Sequence, residues 1–149
     1  CERKLRHSAL SLSISVLFIF KNTKVQNLQI VSNFECKSIG NLKIIYSKYL
    51  PVKGFRAINL FGVVFARKEQ GELSRQIINH ELIHTRQMLE LMFIGFYVWY
   101  VTEWIIKWII YKNRFMAYRN IGFEREAFEN DDNFDYLKHR KWYGFANYV

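Results

Sequence analysis

The stretch "INHELIHTRQ", residues 78–87, carries His80 and His84 four positions apart, with Glu81 directly after the first. A four-residue step on an α-helix advances about 40° round the axis and about 6 Å along it, so the two imidazoles project side by side and one cation can bridge them. Glu81 stands about 100° round from His80, near enough to reach a water on that cation without ligating it. These are the parts of a hydrolytic zinc centre. The metal polarises a scissile carbonyl and lowers the pKa of water, and the carboxylate takes the proton and returns it to the leaving amine. Three fixed positions in five arise by chance in on the order of one protein in a few hundred, and zinc needs a third protein ligand as well as an open position.

Two glutamates are candidates for that ligand. Glu90 follows His80 by ten residues, but no glycine turns the chain between them (Gln87 stands where one is needed), so an unbroken helix carries Glu90 roughly 9 Å beyond His84. Glu124, in "NIGFEREAF", shares a helical stripe with Ile121 and Phe128 and so looks inward, whereas Glu126 has Gly122 and Asn130 as four-step neighbours and is expected to face water. A buried carboxylate must be paired or bound to a metal, so Glu124 either completes the site or pairs with Arg119 or Arg125.

The elements that must position these residues are legible in coarse form. The α+β pattern is a small N-terminal β-sheet followed by a helical half carrying the His80–His84 helix, a long aromatic helix and a Glu124-bearing helix. Strands are expected at "VQNLQIV", "LKIIYS", "FRAINLF" and "VVFARK", the last two around Gly62. Ser74 or Glu72 opens the first helix, whose apolar residues Ile77, Ile78, Leu82, Met88 and Leu89 keep a 3.6-residue rhythm. The aromatic helix follows almost without a break. A third helix is expected over about 118–130 and a fourth over about 134–143, stopping at Gly144. Residues 1–24 read equally as a signal-like segment or a strand, and residues 25–149 as a single domain.

Composition narrows the function classes. Half of the 149 residues are hydrophobic and 17% aromatic, with one proline and seven glycines, which excludes disorder and a low-complexity linker. The net charge of +9 is spread along the chain, with clusters at Arg3–Lys4, Arg67–Lys68 and 138–141. No zinc-finger spacing, glycine-rich nucleotide loop or RNA-binding aromatic signature accompanies it, so nucleic acid is not an expected partner. Two cysteines without CxxC spacing point to a reducing compartment. The uncharged run His7–Phe20 is shorter than the ~20 residues of a transmembrane helix, and so is Leu91–Thr102. Glu103 and Lys107 then stand four apart in the favourable order for an ion pair. Residues 91–111 are nonetheless apolar nearly all round, which implies burial, an interface or a membrane surface.

"HELIH", followed about forty residues later by a helical glutamate in "FEREA", resembles the gluzincin group of zinc metallopeptidases. The run "AINLFGVVFARK... NHELIHTRQMLELMFIGFYVWYVTEW... AYRNIGFEREAFEND" also resembles a group of small bacterial proteins with this motif set, over residues 44–149. The resemblance implies Zn2+ held by His80, His84 and Glu124, with Glu81 as general base in the hydrolysis of a peptide or protein substrate. It further implies an edge strand that aligns an extended peptide, for which "NLFGVVFARK" with Asn59, Phe61 and Val63 is suited. Oxyanion stabilisation then falls to Tyr118, Tyr136 or His139. His139, like His7, lacks a partner at ligand spacing. One departure stands out. Many gluzincins place an aspartate four residues after the ligand glutamate, whereas this chain has Phe128, leaving Asn79, Asp131 or Asp132 to orient a histidine. The implied location is the bacterial cytoplasm or the face of its membrane. The alternative is a catalytically inactive metal-binding or membrane-associated interaction protein with a degenerate peptidase site, or a helical interaction module without metal.

Overall fold

The computed structural model describes residues 35–39, 42–51 and 56–149. The N-terminal segment 1–24 and the strand expected at "VQNLQIV" lie outside the described residues. The chain is α+β, a small sheet followed by a helical half, and it divides into two compact units at Leu73 and Ser74.

In the first unit, β1 (Glu35–Ile39), β2 (Leu42–Ser47), β3 (Ala57–Leu60) and β4 (Val63–Arg67) form a sheet in the order β1-β2-β4-β3. The pair β2 and β4 is parallel, and the other two pairs are antiparallel. Leu42, Ile44 and Tyr46 alternate along β2 on its buried side, the period-2 signature of a half-buried strand. β3 and β4 are joined through Phe61 and Gly62, both at positive φ (53° and 81°), as a primed two-residue hairpin requires. A bulky residue resists that conformation, and Asn59 Oδ1 steadies the turn by accepting from the Gly62 N–H at 3.1 Å.

The second unit begins at the N-cap Ser74, whose Oγ accepts from the Ile77 N–H at 3.3 Å, so the first helix opens there rather than at Glu72. Five helices follow: α1 (Arg75–Glu90), α2 (Ile94–Tyr111), α3 (Arg114–Arg119), α4 (Gly122–Asn130) and α5 (Tyr136–His139). Between α1 and α2 the axis turns by 110°, through Met92 and Phe93 at φ of 52° and 58°. Positive φ costs a non-glycine residue about 1–2 kcal/mol. Burial of Phe96 and Tyr100 offsets it: Phe96 packs on Phe123 with ring centres 4.6 Å apart, and Tyr100 stacks parallel to Phe123.

The helix expected over 118–130 is two helices, α3 and α4, broken at Asn120 and Ile121. The break explains Glu103 and Lys107. They do form the expected ion pair, Nζ to Oε1 at 2.6 Å, but each also caps a helix end. Glu103 Oε1 accepts from the Gly122 N–H at 2.9 Å, at the positive end of α4, and Lys107 donates to the Asn120 carbonyl, at the negative end of α3. Two charges inside an apolar helix thus set where α4 begins, two residues before Glu124. The last expected helix is also shorter: α5 ends at His139, and Gly144 begins a 3-10 turn (Gly144–Tyr148) rather than ending a helix. A Cβ at Gly144 would lie 2.8 Å from Glu126 Oε1, so this position needs glycine for close approach.

Candidate metal centre

His80 and His84 sit one turn apart on α1, and Glu124 reaches them from the first turn of α4. Their ligand atoms lie within 4.8 Å of one another, and the three residues could hold a metal ion. The closest approaches are 3.0 Å between the two histidine Nε2 atoms, 3.6 Å from His80 Nε2 to Glu124 Oε2, and 3.5 Å from His84 Nε2 to Glu124 Oε1. Two ligand atoms about 2.05 Å from a tetrahedral zinc stand about 3.3 Å apart, and each of these approaches is near that value, with the two histidines meeting different oxygens of Glu124. Glu124 is 1% exposed, and its Oε2 is a buried oxygen without a hydrogen-bond partner, as a ligand oxygen would be. Of the alternatives for Glu124, Arg119 lies over the Phe128 ring at 3.9 Å and Arg125 donates to the Tyr148 carbonyl. Glu90 turns away to Arg140 and to the Tyr143 N–H.

The surroundings hold each of these three side chains in place. Tyr100, from α2, donates to Glu124 Oε1 at 2.8 Å, and Tyr118 is near enough to feel the charge of the same carboxylate. Burial, then the charge of Glu124, pushes both phenols well above their ordinary pKa, so both remain donors. His84 Nδ1 lies 2.8 Å from Gln87 Oε1. His80 Nδ1 faces Asp131 Oδ2 at 3.6 Å, and Phe128 packs on the His80 ring with centres 4.6 Å apart. Asp131 therefore occupies the place beside a histidine that Phe128 cannot fill. Asn79 instead donates to the carbonyls of Asn130, Asp131 and Asn133, pinning the end of α4 to α1.

The electrostatics follow from burial against convergent charge. Burial opposes a charged Glu124, but the two imidazoles outweigh it and hold the carboxyl far below its usual range. Burial likewise opposes a charged His80, yet Asp131 and Glu124 raise it to about 10. Either a proton or a cation can bridge the histidine pair. Burial raises the pKa of Glu81, and the neighbouring imidazoles only partly offset that rise. A carboxyl shifted upward is a better proton acceptor and carrier than an exposed one.

The remaining expected residues scatter. Tyr118 is buried and lies close enough to Glu124 for that residue's charge to raise its pKa. Tyr136 is not there: its hydroxyl donates to Glu126 Oε1 at 2.8 Å. His139 is exposed at the end of α5. Asn59 lies on the edge strand β3 and is 2% exposed, Phe61 is in the turn and 61% exposed, and Val63 is on β4 between β2 and β3. All three belong to the first compact unit. The largest correction is Glu126, which faces no water: it is fully buried and meets Gln87, Tyr136 and Arg140. Four-step neighbours on its own helix could not reveal Arg140, which arrives from a segment fourteen residues later. Tyr100 and Gln87 were missed as supports, whereas Asp131, one of the three residues expected to orient a histidine, does lie beside His80. Of those two, Gln87 carried a signal, its position three residues after His84 on one helix face. No family model, curated protein or solved structure matches the chain.

Proposed function

We propose that this protein is a zinc-dependent peptidase in which His80, His84 and Glu124 hold the metal and Glu81 is the general base. The convergence of His80, His84 and Glu124, with ligand atoms within 4.8 Å of one another and an unsatisfied buried carboxylate oxygen among them, carries the reading. Zinc, when bound, supplies a Lewis acid that polarises the scissile carbonyl and acidifies water. Glu81, its proton affinity raised by burial, takes the proton from that water and delivers it to the leaving amine. Tyr100 keeps Glu124 in place rather than acting on the substrate.

Calorimetric zinc titration of the chelator-stripped protein tests the metal. One equivalent is expected to bind, and because His80 is protonated below about 10, binding at pH 7 should release about one proton. Buffers of different ionisation enthalpy read that proton directly. With a single competing proton, affinity weakens about tenfold per pH unit below that value, down to the range where other ligand groups also protonate. Glu124→Ala should bind zinc at least about tenfold more weakly; full affinity in that variant would refute the ligand set. Hydrolysis of a peptide library should vanish on stripping and return with zinc. A loaded protein that cleaves nothing would leave the inactive metal-binding alternative.

A membrane-surface location is favoured by α2. Its two charged side chains are turned inward to cap helix ends, while Val98, Ile105, Ile106, Ile109 and Ile110 are 43–65% exposed, with basic Lys112 and Arg114 just beyond. An apolar face flanked by cations suits an anionic lipid surface. No single described helix is long and apolar enough to cross a membrane. The protein should co-sediment with phosphatidylglycerol-containing vesicles more than with purely zwitterionic ones, and Ile106→Glu/Ile110→Glu should abolish it. Equal pelleting of that double variant, or a stable dimer that ignores vesicles, would contradict this location.

A further inference from the structure

His84 is held from behind by a buried chain that ends in the C-terminal segment. Gln87 is fully buried, and its Nε2 donates to the Phe123 carbonyl at 3.1 Å and to Glu126 Oε2 at 2.8 Å. Both partners only accept, so the amide has one orientation, with Oε1 facing His84 Nδ1 at 2.8 Å. That oxygen can only accept. His84 must therefore carry its hydrogen on Nδ1, which directs the lone pair of Nε2 toward His80 and Glu124. Glu126 is in turn fixed by Arg140, which bonds both its oxygens, and by the Tyr136 hydroxyl. Arg140 is itself locked on its other side by Glu90. The bonds of Gln87 to His84, Phe123 and Glu126 are buried, and the Arg140 side chain is 1% exposed. A cluster of this kind could serve stability alone, but its last link is the ring nitrogen of a ligand.

We propose that Gln87 is the positioning residue for His84, and that Glu126 and Arg140 hold its amide so that the C-terminal segment sets how the metal site accepts its ion. This rests on the reading of His80, His84 and Glu124 as a metal site. It makes metal affinity depend on an uncharged side chain that touches no ion, because the protein fixes a ring and its tautomer before the ion arrives. Loss of such support lowers metal affinity by about 10–100-fold.

The test uses cobalt(II) as a probe in the full chain, reading affinity by chelator competition and geometry from the visible absorption of tetrahedral cobalt. Gln87→Leu, close in volume and without the amide, is expected to bind cobalt about 10–100-fold more weakly, with altered visible bands. The His84 ring nitrogens, read by long-range 15N–1H NMR in the metal-free full chain, are expected to carry the hydrogen on Nδ1 in the wild type and to lose that single tautomer in Gln87→Leu, a change that lost packing alone would not give. Wild-type affinity and bands in Gln87→Leu would overturn the positioning role and leave the metal site standing. A wild-type His84 with its hydrogen on Nε2 would also overturn it. Failure of the wild-type protein to bind cobalt or zinc would overturn the metal site and this role together.

Discussion

A Glu81→Gln protein is expected to keep one equivalent of zinc and to lose peptide hydrolysis by about 10²–10⁴-fold, the usual worth of a positioned general base. The amide is nearly isosteric and fits the same place, where Glu81 is 8% exposed on the helix that supplies both histidines. It cannot accept the proton. Because burial has already raised the pKa of the carboxyl, removing its charge should cost the fold little, unlike removing a carboxylate held low by partners. Zinc content by elemental analysis and turnover on the same preparation separate the two effects. Undiminished turnover would show that Glu81 is not the base, and lost zinc would show that it supports the ligands.

Arg140→Met should destabilise the protein by about 3–5 kcal/mol, the range for breaking a buried ion pair by removing one partner. Here two carboxylates, Glu90 and Glu126, would be left inside without their shared cation, retaining only Arg86, Tyr136, Gln87 and the Tyr143 N–H. Urea denaturation should show a lower midpoint at unchanged slope. Adding Glu90→Gln and Glu126→Gln to Arg140→Met should recover part of the loss, because the cost lies in uncompensated charge rather than in lost volume. A change below about 1 kcal/mol would mean that water reaches the cluster.

The two predictions differ in what a sequence reader could have foreseen. Glu81, His80 and His84 are fixed relative to one another by a single helix, and helical geometry is local, so their spacing alone determined that two imidazoles and a carboxyl share one turn. A helix opening at Ser74 or Glu72, the strand pair around Gly62 and the α+β order of a small sheet before a helical half were legible for the same reason, as each depends on residues a few positions apart. Glu124 was legible one step further, because an apolar stripe reports which side of a helix is buried.

Which partner waits on that side is another matter. That Glu124 meets the histidines, rather than Arg119 or Arg125, was decided by the 110° turn after α1 and by the break between α3 and α4. The chain makes that break by sending Glu103 and Lys107 across from α2 to cap both helix ends. Glu126 is the clearest case: its helical neighbours predict water, yet Arg140 buries it by a contact that no periodicity records. Local hydrogen bonding and apolar rhythm are written in short spans of residues, whereas the pairing of buried charges is a long-range energy, settled only when the elements pack.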